Sequence, residues 1–98
     1  MLFALICKDK PDALNVRMET RPKHVEFING LIAEKKLAFA GPFLDAEGKS
    51  IGSLVMIEAA DKAEAEALAA SDPYARAGLF DSIEVLPWTW VFNKPADA

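Results

Sequence analysis

Histidine, cysteine and tyrosine each occur once in these 98 residues, as His24, Cys7 and Tyr74. A lone cysteine excludes an intramolecular disulfide, and with one histidine there is no spacing that could hold zinc, so no metal is expected. Glycine is sparse at 5 residues, with no phosphate-cradling loop, no nucleotide fingerprint and no nucleophilic serine elbow. The simplest expectation is chemistry without a cofactor. Positive charge is also short: 11 Lys and Arg stand against 15 Asp and Glu, for a net charge of −4 and a pI near 4.9. That balance excludes the broad basic field a nucleic-acid partner draws on. The N-terminal run Leu2-Phe3-Ala4-Leu5-Ile6 has no basic flank before it and is too short for a signal or a membrane span. The expected setting is a reducing cytoplasm, with no membrane partner.

What is present is apolar bulk. A hydrophobic share of 52% with 27% charged residues predicts one globular domain over residues 1–98, with a frayed tail over 93–98. A chain of this size buries only a modest share of its surface, so an apolar face left uncovered favours self-association, and a homodimer is expected.

The pattern alternates strands and helices. Met1 to Cys7 is a short apolar run, stopped by Lys8-Asp9-Lys10-Pro11, that fits a central strand buried on both faces. Asp12 to Thr20 reads either as a short helical turn or as an ordered loop. Thr20 is placed to cap a helix with Pro22 in its first turn, and Val25, Ile28, Leu31 and Ile32 then mark one apolar stripe to about Lys35. This puts His24 near the positive end of a helix dipole. Leu37 to Gly41 reads as a strand ended by Gly41-Pro42, and Ser53 to Ala59 as its hairpin partner. Asp61-Lys62-Ala63-Glu64 is a capping box opening an alanine-rich helix that Asp72-Pro73 stops, with one further turn over Tyr74 to Gly78. Ser82 to Phe92 predicts a last strand, with Leu86, Trp88, Trp90 and Phe92 on one face; Pro87 requires an edge or a bulge. The order β-α-β-β-α-β, with right-handed crossovers, predicts an α+β ferredoxin-like plait with both helices on one face of a four-stranded antiparallel sheet. Trp88 and Trp90 argue that the other face is covered, as by a second sheet packed against it.

Two places carry chemistry. Imidazole exchanges a proton near neutral pH, and a carboxylate on its far nitrogen would fix its tautomer and stabilise the imidazolium. His24 is set in Arg21-Pro22-Lys23-His24, and the candidate carboxylate is Asp72 in Asp72-Pro73-Tyr74. Arg17, Arg21 and Lys23 form a small basic cluster around the only histidine of an acidic chain, fit either to attract a small anion or to serve as a solvated helix face.

Arg21-Pro22-x-His24 on the first helix, Ala40-Gly41-Pro42 on the second strand and Asp72-Pro73-Tyr74 after the second helix recur in this order and spacing in the YciI-like (YCII-related) family, which the chain resembles across nearly its whole length. The resemblance implies a plait assembled as a dimeric α+β barrel, with a cleft between helices and sheet. It also implies a catalytic His24-Asp72 dyad and a basic residue at Arg17. Where activity is known in such proteins it resembles proton-transfer elimination, such as dehydrochlorination of aromatic compounds.

The candidate site is therefore His24 as general base, Asp72 as its orienting partner, and Arg17, Arg21, Gly41, Pro42 and Tyr74 around a small ligand, anionic or aromatic. Each residue has a plainer alternative. For Asp72 it is a carboxylate that only bonds a backbone amide at a helix end, for Gly41-Pro42 a plain turn of the chain, and for Tyr74 a core aromatic. Two functional classes remain open: a lyase- or isomerase-type acid–base enzyme, or a non-catalytic dimeric module that binds a metabolite in the same cleft. A purely structural domain is the third.

Overall fold

A computed structural model describes residues 1–96. Its elements run β1 (Leu2–Asp9), α1 (Leu14–Ala33), β2 (Leu37–Leu44), β3 (Ser50–Glu58), α2 (Lys62–Ser71), α3 (Pro73–Arg76) and β4 (Phe80–Trp88). The four strands form one sheet in the order β2-β3-β1-β4, every neighbour antiparallel. With β1 in the interior of the sheet, Phe3, Ala4, Leu5 and Cys7 are all buried, as a two-sided apolar run requires.

Alternation along each strand sorts the side chains onto two faces. Phe3, Leu5 and Cys7 of β1 lie opposite Ile57, Val55 and Ser53 of β3. The apolar members of this set join Phe27, Ile28 and Leu31 of α1 and Ala65, Leu68 and Ala69 of α2 in the core. Both helices thus cover one face, as the plait requires. On the opposite face Phe39 stands edge-on to Trp88 and Trp90, at ring separations of 6.0 and 5.4 Å. Met56, the β3 partner of Phe39, is fully buried on that side. Leu86 stays 42% exposed there.

Expected boundaries differ in four of these elements. α1 begins at Leu14 rather than Thr20, so Pro22 lies inside it. Its neighbours Arg21 and Lys23 are exposed, as is Met18 one turn earlier, whose carbonyl loses a partner to the proline and can bond water instead. β2 does not end at Gly41-Pro42: it pairs on through Gly41–Leu54 and Pro42–Ser53 to Leu44. Pro42 is tolerated because β2 is an edge strand, where a missing donor need not break a ladder. β3 correspondingly begins at Ser50. β4 begins at Phe80 and ends at Trp88, short of Phe92. Beyond it the indole of Trp90 donates to the Phe92 carbonyl, folding the chain back, and Phe92 is 86% exposed. The expected strand alternation therefore fails past Trp88. Of the tail expected over 93–98, residues 93–96 are in neither helix nor strand, and 97–98 lie outside the described residues.

α2 opens as its capping box foretells, with the Asp61 carboxylate accepting from the Glu64 amide at 2.9 Å. It stops at Asp72, whose backbone is extended as the residue before a proline prefers. Its inward residues Ala65 and Ala69 are small and buried.

Candidate functional site

The earlier start of α1 brings Arg17 onto the helix, in line with Arg21 and His24 at four- and three-residue steps. His24 is consequently a mid-helix residue, beyond the reach of the helix-end dipole that an origin at Thr20 had implied. The first half of the inward stripe is polar and the second half apolar. Only the second half can enter the core, so the first half borders a cavity.

Asp72 is the junction between α2 and α3. Its Oδ1 accepts the Tyr74 amide at 2.9 Å, capping α3, and lies 2.8 Å from His24 Nδ1. The two uses of Asp72 that the sequence leaves as alternatives therefore coexist on one oxygen. A carboxylate at Nδ1 holds the hydrogen there and leaves Nε2 with a lone pair, the form a general base needs. The His24 ring also stacks on Tyr74, with centroids 4.0 Å apart and planes 15° from parallel.

Arg17 is buried with Asp9. Its Nε and one terminal nitrogen donate to the two Asp9 oxygens at 2.7 and 2.8 Å, a fork-on-fork pair with both side chains 6% exposed. The same terminal nitrogen donates to Ser53 Oγ at 3.0 Å, and the guanidinium carbon lies 4.7 Å from the Tyr74 ring centre. Burial works against the charge on Arg17, but hydrogen bonding and attraction from Asp9 more than offset it and raise its pKa. Tyr74 is pushed up by burial, against the opposing pull of Arg17 and Arg21, so its phenol stays protonated at neutral pH. Burial, with the Asp72 charge added, pushes the Cys7 thiol up to about 12, which excludes it as a thiolate nucleophile near neutral pH.

The cavity beside these groups has a volume of about 280 Å³. Arg17, Arg21, His24 and Ile28 wall it on the α1 side, Ala40, Gly41 and Pro42 on β2, Ser53 and Val55 on β3, and Tyr74 closes a further side. An apolar cavity of about 150 Å³ accepts benzene, so this one has room for a single substituted ring. Six of the seven residues singled out from sequence line it, and Asp72 touches it through His24. Lys23 is exposed and does not line the cavity. Gly41 lines the cavity without being required there by crowding, since a Cβ on it would meet no atom within 4 Å. Among the described residues, no group of three or more His, Cys, Asp or Glu is placed to hold a metal ion. No described helix is long and apolar enough to cross a membrane.

Two members of the site are missing from the sequence reading. Asp9 continues the inward set Phe3, Leu5, Cys7, and Ser53 continues Ile57, Val55. A polar residue in phase with an inward apolar series is the signal that would have found both.

A ferredoxin-like plait carrying an imidazole–carboxylate pair in a cleft between helix and sheet is the class this geometry defines. The chain belongs to the YCII-related domain family, whose domain matches residues 1–89. The protein YciI of Escherichia coli is 33% identical over 98 aligned positions, spanning 94% of this chain and all of that protein. A Haemophilus influenzae protein is likewise 33% identical over 98 aligned positions, spanning 94% of this chain and all of that protein. Among solved structures, a 5-chloro-2-hydroxyhydroquinone dehydrochlorinase from Burkholderia phenoliruptrix, in complex with 2,5-dihydroxybenzoquinone, superposes with a TM-score of 0.83 at 32% identity, covering 91% of this chain and 94% of that one.

Proposed function

We propose that this chain is a cofactor-free acid–base enzyme of the lyase type, acting by proton-transfer elimination on a small, oxygenated, ring-sized compound. The observation that carries the reading is the 2.8 Å contact between His24 Nδ1 and Asp72 on the wall of a cavity of that size. His24 Nε2 takes a proton from a substrate carbon or hydroxyl. The electron pair left behind forms a new double bond and expels a leaving group such as chloride, and Asp72 stabilises the imidazolium until it releases the proton to solvent. Arg21 lines the cavity and forms no ion pair among the described residues, so it is the cation left to steady an anionic substrate. Arg17 is already matched by Asp9 and adds no net charge.

The dehydrochlorinase supports the choice of chemistry, so its substrate, 5-chloro-2-hydroxyhydroquinone, is the compound to try first. Chloride release should be measured for the wild type and for His24→Gln, with folding checked by circular dichroism. A well-placed acid–base group contributes about 10²–10⁴-fold in rate, and the variant should lose that much. Equal rates in a folded variant reject the enzyme reading, whereas undiminished binding without turnover by the wild type favours a metabolite-binding module.

The same reading includes a homodimer closed over the sheet face away from the helices, where Leu86 and Phe43 are 42% and 39% exposed. Sedimentation equilibrium should give twice the 10.7 kDa chain mass, reverting to one with Leu86→Lys. A wild-type monomer at micromolar concentration counts against it.

A further inference from the structure

A second cavity, of about 840 Å³, shares no lining residue with the one beside His24. Ile32 borders it from the end of α1, Leu2 and Leu37 from the first residues of β1 and β2, and Trp88 and Trp90 from the end of β4 and just beyond. Its aromatic wall is fixed in place. The two indoles meet edge to face at 5.5 Å, Phe39 stands edge-on to both, and Trp90 is tied through its ring nitrogen to the Phe92 carbonyl at 2.9 Å. Such a wall offers contact area to a flat ring at little cost in conformational freedom.

The charge around this cavity is positive, against the acidic balance of the chain. Lys35 and Lys94 line it and neither is in an ion pair among the described residues, while the lining carboxylate, Glu58, is taken by the Met1 ammonium. Lys35 is also held against backbone preference. Its φ is 59°, the left-handed conformation of the residue that follows a helix end, where glycine is the usual occupant. A lysine kept at such a position points to a use for its ammonium.

We infer that this cavity is a second binding site, for a flat aromatic carboxylate of two fused rings, with the rings against Trp88 and Trp90 and the carboxylate facing Lys35 and Lys94. A cavity of about 150 Å³ holds one benzene ring, so space for two is ample, and the excess of ammonium groups selects an acid over a neutral ring. The site takes no part in the proton transfer proposed for His24.

The test is a titration of nitrogen-15-labelled protein with 2-naphthoate, followed at the two indole N–H signals, which belong to the 2 tryptophans of the chain. Both signals should move and saturate. The amide 2-naphthamide, with the same rings and no charge, should bind about fivefold more weakly, as two exposed charge contacts are worth. Lys35→Gly combined with Lys94→Gln should weaken 2-naphthoate by the same factor and leave 2-naphthamide unchanged; glycine suits the left-handed turn, so the variant keeps its fold. Indole signals that do not move, as when a second copy of the chain covers the cavity, overturn the inference. Equal affinity for acid and amide, or for wild type and variant, overturns it as well. His24→Gln should titrate as the wild type does, and a loss of binding there would put the acid in the other cavity. Turnover is not measured, so the acid–base reading and this site stand or fall separately.

Discussion

The two long helices lie on the same face of the same sheet, and only one of them borders the site. α2 meets the sheet through Ala65 and Ala69, which are 0% and 5% exposed. Side chains that small let a helix lie flush and leave nothing to fill. α1 faces the sheet with Phe27, Ile28 and Leu31 in its second half but with Arg17, Arg21 and His24 in its first. Long polar side chains cannot close against apolar strands, so the first half stands over a cavity and lines it with polar groups. The difference teaches that the candidate site is a region where core packing was not completed, bounded by one fully satisfied ion pair. The ends differ in the same sense. α2 is capped by its own Asp61, whereas the N-cap of α1, Ala13, has no side-chain bond and the helix is tied down through Arg17 to Asp9.

The comparison can be broken most severely at that tie. Arg17→Ala leaves the Asp9 carboxylate buried without a partner, and loss of one member of a buried pair costs about 3–5 kcal/mol. Urea unfolding should show a drop of that size; a loss below about 1 kcal/mol would mean that α1 is held by its apolar half alone. On the other helix, Ala65→Leu forces bulk into a flush contact and should cost about 1–3 kcal/mol by the same measurement. An unchanged midpoint would show slack beneath α2. The smallest effect on stability is expected from Ala40→Leu, which adds the same bulk at an exposed cavity-lining position and should stay within about 0.5 kcal/mol. It should nonetheless abolish chloride release from 5-chloro-2-hydroxyhydroquinone by filling the cavity, and an unchanged rate would place the reaction elsewhere.

Much of this was legible in the sequence where local signals agree. The capping box, the proline stop after Asp72 and the continuous apolar run of β1 each state their structure in a few adjacent residues. The start of α1 was not legible, because Pro22 is a sound first-turn residue and nothing local shows that exposure would let it sit inside a helix. The end of β4 was misjudged for a related reason: Trp90 and Phe92 suit a strand by composition, but the indole bonds back onto the chain. Pairing to an edge and contact across the sheet are tertiary facts, and β2 ran past Gly41-Pro42 on their account. The motif residues of the site were visible as motifs. Asp9 and Ser53 were hidden because a single polar residue in a strand carries no motif, only a phase.

One oxygen atom sets how rigid the proposed base can be. Asp72 Oδ1 takes both the Tyr74 amide and the His24 imidazole, so the carboxylate that meets the ring is itself pinned to the peptide backbone of α3. His24 is thus mounted on two supports 48 residues apart in sequence, its own helix and the start of another. A junction between two helices thereby doubles as the hinge pin of an imidazole, and the same carboxylate that ends one helix and starts the next sets where Nε2 points.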